Sequence, residues 1–163
     1  MSPFVYRLEK VLKYRINKKE EQLQVVKAAQ REVQRIQGEI DKNNATIISL
    51  RQSMYQADHT LLQSYDNYIK HLYGVIDKLE LDKINAINRL EEEKRILEEL
   101  DKSIKALEKH KEKALEIYKQ EQKEREMKKL NEIGSQKHFI KMLERQEEEY
   151  LEEMELEEEE EEL

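Results

Sequence analysis

The fold is decided by residues 62–118, which read LQSYDNYIKHLYGVIDKLELDKINAINRLEEEKRILEELDKSIKALEKHKEKALEIY. Counting from Leu62 in alternating steps of three and four residues gives a row that is polar only at Lys83, Glu93 and Lys111. The full row is Leu62, Tyr65, Ile69, Leu72, Ile76, Leu79, Lys83, Ala86, Leu90, Glu93, Leu97, Leu100, Ile104, Leu107, Lys111, Ala114 and Tyr118. This spacing, kept over about eight heptads, is typical of a helix whose apolar seam winds around another helix.

A second row precedes the first and is apolar at nine of its ten positions. Its members are Val26, Ala29, Val33, Ile36, Ile40, Asn43, Ile47, Leu50, Met54 and Ala57. Asn43 is the polar exception, a residue type that can fix the register of a coiled coil at some cost in stability. Two such rows in one chain predict two helices that bury their seams against each other.

The predicted connection between the two rows is residues 58–60. Thr60 followed three residues later by Gln63 is a capping-box pattern, so a new helix is expected to start near Leu61. No glycine or proline forces a break here, and one continuous helix is the alternative. A reversal keeps both seams inside one chain, whereas a continuous helix needs a second chain.

The composition supports an all-α chain without a compact core. Apolar residues make up 37% and charged residues 41%, against about 45–50% and 25% in globular domains. The chain has one proline, three glycines and no cysteine, which suits long helices in a reducing compartment. No segment approaches the roughly 18 apolar residues of a membrane span, so the expected location is cytoplasmic.

These observations predict a long antiparallel two-helix coiled-coil hairpin whose second helix extends beyond the first. The expected hairpin covers residues 1–143, with helix one at about 3–57 and helix two at about 61–143. Pro3 suits a first helical turn. Residues 144–163 hold thirteen glutamates and one arginine, and like-charge repulsion predicts a frayed or disordered acidic tail.

The sequence carries no pattern of an enzyme, a metal site or a cofactor site. No pair of its four histidines has the spacing of metal ligands on a helix, and no phosphate-binding loop or nucleophile elbow is present. Lysines alternate with glutamates instead of forming a basic stripe, so nucleic-acid binding is not expected. The tyrosine-rich segment after the turn is either ordinary packing or a surface for a partner protein.

Four stretches resemble, in order, segments of the flagellar export protein family FliJ. Residues 4–15 (FVYRLEKVLKYR) are similar to the opening F-x-[FY]-R-L-x-x-[VL]-L-x-x-R, and residues 65–72 (YDNYIKHL) to Y-x-x-[FY]-I-x-x-L. Residues 105–109 (KALEK) and 126–132 (EMKKLNE) look like K-x-L-E-K and E-Q-K-x-x-D-E. In the last stretch Met127 and Asn131 stand where the family usually has Gln and Asp. The acidic end is not part of the family pattern.

The resemblance implies a non-enzymatic stalk of the flagellar type III protein export apparatus, similar to the central stalk of rotary ATPases. Its partners would be the hexameric export ATPase FliI, the export gate protein FlhA and export chaperones. It would be a monomer in isolation and would lie, without inserting, at the cytoplasmic face of the cell membrane.

The resemblance also assigns residues to two of these partners. The residues expected to face the ATPase ring are Phe4, Arg7, Leu8, Leu12, Arg15, Leu107, Glu108, Tyr118, Glu126, Lys128 and Glu132. Those expected to face the gate are Tyr65, Tyr68, Ile69 and Leu72. Two alternatives stay open: the equivalent stalk of a virulence-type secretion system, and a generic coiled coil that forms a parallel homodimer.

Overall fold

The computed structural model describes residues 2–162. Met1 and Leu163, the outer ends of the predicted hairpin and tail, lie outside the described residues. Helix α1 spans Glu9–Gln56 and helix α2 spans Leu62–Glu161, with a 3-10 turn at His59–Leu61 between them. The described part of the chain contains no strand. The predicted all-α class is therefore confirmed, and the two helices pack against each other.

The chain divides into two units. The paired unit, Arg7–His110, contains α1 and the first half of α2. The terminal unit comprises Met1–Tyr6 and Lys111–Leu163, and it contains the second half of α2. None of the helices in the described chain has a stretch long and apolar enough to cross a lipid bilayer.

The core of the paired unit consists of the predicted seam residues. One buried cluster joins both helices near the turn and contains Ile36, Ile40, Ile47, Ile69, Leu72 and Ile76. A second cluster further from the turn contains Val26, Ala29 and Leu90. Every position of the two predicted rows is buried or half-buried, because residues spaced by alternating threes and fours share one helix face.

Asn43 lies in the seam as predicted, but its side chain bonds to its own helix instead of to α2. Its side chain is half-buried, and its amide donates a 2.9 Å hydrogen bond to the Glu39 carbonyl of its own helix. A polar group that bonds within its own helix selects no partner on the facing helix. The register is therefore set by the isoleucines and leucines around it.

The connection between the helices uses extended backbone instead of a capping box. Ala57 has φ −79° and ψ 153°, Asp58 has φ −59° and ψ 142°, and the 3-10 turn follows directly. No side chain caps the 3-10 turn, and the Gln63 amide donates forward to Asn67 at 3.0 Å. Thr60 lies inside the 3-10 turn, so it does not stand at a helix N-cap. The predicted position of the turn is matched within two residues, but the predicted capping box is not formed.

Helix α1 begins at Glu9, six residues later than the predicted start at Pro3. The Leu8 carbonyl accepts the first helical bond, from the Leu12 N–H at 2.9 Å. Residues 3–8 are not helical, and within them Val5 is 80% exposed and Tyr6 only 6%. The helix-start preference of proline is a weak local signal, and it does not set the start of α1 here.

Helix α2 continues to Glu161, through the segment predicted to be frayed or disordered. The residue type explains why this segment is helical instead of disordered. Glutamate has a high helix propensity, whereas like-charge pairs four residues apart each cost only a few tenths of a kcal/mol. The propensity of the glutamates therefore offsets much of the repulsion that the sequence analysis emphasised.

The buried seam predicts an unequal response to two isoleucine substitutions on α1. Ile40 is 2% exposed in the core, whereas Ile48 is 60% exposed. Ile40→Ala should lower the free energy of unfolding by about 2–5 kcal/mol, because it removes buried methyl groups and leaves a cavity. Ile48→Ala should change it by less than about 0.5 kcal/mol. Urea unfolding followed by circular dichroism measures both, and equal effects would contradict the assigned seam.

Candidate interaction surfaces

Two aromatic rings join the chain's first residues to α2 within the terminal unit. The Phe4 ring packs on the Tyr118 ring with centroids 5.5 Å apart and a tilt of 50°. The Tyr118 hydroxyl donates to the Ser2 carbonyl. The resemblance expected both aromatic residues on the ATPase-facing surface, and the structure brings them together. Both rings are half-buried, so each keeps an accessible edge.

The other expected ring-facing residues differ in exposure. In the paired unit Leu12 is 5% exposed and belongs to the core, because it continues the seam of α1. Leu8, Arg15 and Leu107 are half-buried. The fully accessible members of the set are Arg7 and Glu108 in the paired unit, and Glu126, Lys128 and Glu132 in the terminal unit. Buried Leu12 can act on a partner only by supporting the fold.

A polar section of the seam links the two helices of the paired unit. Arg15 donates to the Ser103 hydroxyl, and Lys19 Nζ lies 2.7 Å from Asp101 Oδ1. These contacts span 82 or more residues of sequence. Arg15 and Lys19 continue the three-and-four spacing of the α1 seam, so polar side chains replace apolar ones there.

Gln22 completes this polar section. Its amide donates to the Glu93 carbonyl at 3.0 Å and to Glu93 Oε2 at 2.6 Å. In the sequence Glu93 stands out only as a break in the apolar row, and the apolar spacing predicted none of the three cross-helix pairs. The signal was present, since Gln22 falls on the same three-and-four count as Val26. Polar residues in both rows at similar distances from the turn would have indicated the Gln22–Glu93 pair, whereas Asp101 and Ser103 lie beside the α2 row.

The Asp101 carboxylate is the shared acceptor of the polar section. Hydrogen bonds first from Lys19 and then from Lys105 lower the pKa of Asp101 from its ordinary 3.8 to about 2. Lys105 Nζ lies 2.9 Å from Asp101 Oδ2 on the same helix. The Lys19 contact is the one that joins α1 to α2, so part of the helix pairing depends on this carboxylate being ionised.

The four residues expected at the gate-facing surface do not share one environment. Ile69 and Leu72 are 6% and 5% exposed and lie in the core cluster near the turn. Tyr65 is half-buried. Tyr68 is 49% exposed, and its ring stacks at 6.2 Å on His71. Because Ile69 and Leu72 are seam residues, they are covered by α1, and Tyr68 is the accessible aromatic of this group.

A groove beside the turn was not indicated by the sequence analysis. It has a volume of about 570 Å³ and is lined by Arg51, Met54, Tyr55, Ala57, His59 and Leu62. Tyr55 is 92% exposed at its edge. Arg51 donates to the Tyr73 hydroxyl across the two helices, with its guanidinium 5.7 Å from the Tyr73 ring centre. Such a groove forms only when the helices converge, and a linear pattern does not reveal it.

Within residues 2–162 no group of three or more metal-ligating side chains is placed to hold a metal ion. Comparison with known proteins adds no identification, since no protein family, curated protein or solved structure shows a significant match to this chain.

The Asp101 pair predicts a pH-dependent stability contribution. A carboxyl whose pKa is lowered by folding stabilises the folded state above its unfolded pKa and loses this effect as the pH falls toward about 2. Asp101→Asn should therefore lower the thermal midpoint at pH 7 by a small amount, at most about 4 °C, because both side chains of the pair remain partly exposed to solvent. At pH 2 the variant and the natural chain should melt alike.

Thermal unfolding by circular dichroism at pH 7, 4 and 2 measures this effect. Exposed Asp77, on the same helix, provides the control through Asp77→Asn. An Asp101→Asn deficit that stays constant down to pH 2 would show that the carboxylate charge is not the cause.

Proposed function

We propose that this chain is an antiparallel two-helix coiled-coil stalk with a longer second helix. The order of the cross-helix contacts supports this architecture. As residue numbers rise along α1, the partners on α2 fall: Arg15 pairs with Ser103, Lys19 with Asp101, Gln22 with Glu93 and Arg51 with Tyr73. A falling order of partners is what an antiparallel pair requires.

The proposed role is that of the non-enzymatic stalk of the flagellar type III export apparatus. The observation that supports it is the buried seam between the two helices. The FliJ-like stretches 4–15, 65–72 and 105–109 all contribute residues to this seam. The stalk would insert the end that carries its termini into the ring of the export ATPase FliI. It would favour the assembled ring by binding that state more tightly than the free subunits.

The same proposal assigns the other partners to separate surfaces. The accessible face around Tyr68 would contact the export gate FlhA, while export chaperones would bind elsewhere along the polar faces of the helices. The stalk would work in the cytoplasm at the membrane face, without entering the bilayer. Both seams are satisfied within one chain, which favours a monomer over the parallel homodimer.

The ring-binding role predicts that charge reversal at Arg7 reduces ATPase stimulation. Arg7 is exposed and belongs to the expected ring-facing set. Arg7→Glu should raise the concentration needed for half-maximal stimulation of the export ATPase roughly tenfold, or about 1.4 kcal/mol of binding. The measurement is phosphate release by the ATPase as this protein is titrated in.

Arg31→Glu is the matched control for that experiment. Arg31 is an exposed arginine on the same helix and outside the ring-facing set. Its reversal should leave stimulation unchanged, and both variants should keep the natural thermal midpoint. Equal loss in the two variants would indicate an effect of net charge and would count against a ring contact at Arg7.

The gate-binding role predicts a specific loss at Tyr68. Truncating an aromatic anchor in a desolvated contact costs about 2 kcal/mol or more, which is roughly thirtyfold in affinity. Tyr68→Ala should show this loss in calorimetric binding to the cytoplasmic domain of the gate protein. ATPase stimulation and the thermal midpoint should be preserved.

Tyr14→Ala provides a tyrosine control far along α1 from the turn. Tyr14 is 62% exposed, so its truncation also removes an exposed ring. It should leave gate binding intact. Full-strength gate binding by Tyr68→Ala would exclude Tyr68 as an anchor, and a collapsed midpoint would assign the ring to packing.

A further inference from the structure

The last part of α2 carries an exposed apolar row that the proposed function does not use. From residue 123 to residue 162 every side chain is exposed. Three-and-four steps starting at Ile133 give the row Ile133, Gln136, Ile140, Leu143, Glu147, Tyr150 and Met154. Five of these seven positions are apolar, and their exposure runs from 42% at Met154 to 62% at Tyr150. We call residues 133–154 of this face the terminal stripe.

The terminal stripe has the geometry of one half of a coiled coil. Its members recur at the spacing of the buried seam in the paired unit, where such residues are covered by a second helix. Its flanking positions add Phe139 and Leu151, which are 61% and 53% exposed. At about 1.5 Å per residue the stripe extends roughly 30 Å along the helix. An exposed, largely apolar row of this length indicates a docking surface.

The charges beside the terminal stripe specify the chemistry of its partner. The positions that flank the row from residue 137 to residue 158 hold Glu144, Glu153 and Glu158, with Lys137 as the one cation among seven. In coiled coils these flanking positions set partner choice through ion pairs across the interface. An acidic flank on both sides of an apolar row therefore fits a helix that is apolar on one face and lysine- or arginine-rich beside it.

Self-association is the less favourable use of the same surface. Between residues 144 and 162 each chain carries thirteen glutamates and one arginine. Two copies aligned along this segment would bring these acidic runs together, which is destabilising for both helices. A basic partner instead relieves the repulsion within the acidic run as well as covering the apolar row.

We propose that the terminal stripe is a docking site for a basic amphipathic helix of another protein. The partner lays its apolar face along Ile140, Leu143 and Tyr150, and its cations face the flanking glutamates. Long single helices gain most of their stability from a packed apolar face. Docking therefore also stabilises the end of α2. This surface lies within the terminal unit, and its residues differ from those assigned to the ATPase and the gate.

The test uses the full chain and a synthetic helical probe. The probe has 24 residues, with leucine at the core heptad positions and lysine at the flanking positions. A second peptide replaces every lysine by glutamate. Isothermal calorimetry should show saturable one-to-one binding of the basic probe, weakening by at least tenfold between low salt and about 0.5 M NaCl as screening increases. The acidic peptide should not bind.

Two double variants separate the row from the rest of the helix. Leu143→Ala with Tyr150→Ala truncates the row, whereas Met142→Ala with Leu156→Ala truncates two exposed residues that lie outside it. Alanine preserves helix propensity in both. The row variant should bind the basic probe at least tenfold more weakly than the natural chain. The control variant should stay within twofold of it.

Several outcomes would overturn the proposal. Equal binding by the two double variants would mean that the probe binds to the glutamates by charge alone and does not contact the apolar row. Binding of the acidic peptide, or no binding of the basic one, would remove the charge argument. A dimer of the natural chain that Leu143→Ala with Tyr150→Ala dissociates, measured by light scattering, would assign the stripe to a second copy.

Discussion

The structure depends on the mutual burial of two narrow apolar seams. Outside these seams the paired unit is largely charged, so almost all of its hydrophobic stabilisation comes from one line of contact. Ile36, Ile40 and Ile47 supply the α1 side of that line near the turn. A one-residue slip would rotate these side chains away from the seam, and the apolar pattern therefore fixes the register as well as the fold.

The periodicity was sufficient to predict the helices and their buried faces. The seam positions and the all-helical class followed from spacing, whereas the place of the turn was predicted from a capping-box pattern that the structure does not form. The helix ends did not follow from spacing. Leu8 rather than Pro3 is the N-cap of α1, so the local proline signal does not set the start of the helix. Glutamate's own propensity carries α2 to Glu161. The positions of helix ends depend on local contacts and on the helix propensities of neighbouring residues, and the spacing of apolar residues gives no information about either.

The candidate surfaces were harder to predict than the seam. A motif placed Ile69 and Leu72 beside Tyr68 as possible contacts, but helical spacing buries the first two and exposes the third. The Lys19–Asp101 and Gln22–Glu93 pairs escaped notice because they join residues more than 70 positions apart. Recognising them requires the register of the two helices. The seam defines the register, so these pairs can be predicted only after the fold is known.

The turn has a consequence for how its sequence can vary. Ala57 and Asp58 connect the two helices with backbone angles that any L-amino acid can adopt, and no residue of the described chain has a positive φ. The connection therefore makes no demand for glycine or asparagine. The backbone therefore does not restrict which residue types occupy exposed positions near the turn, such as Tyr55 and Leu61. The residue types at these positions can therefore be determined by a binding partner instead of by the backbone.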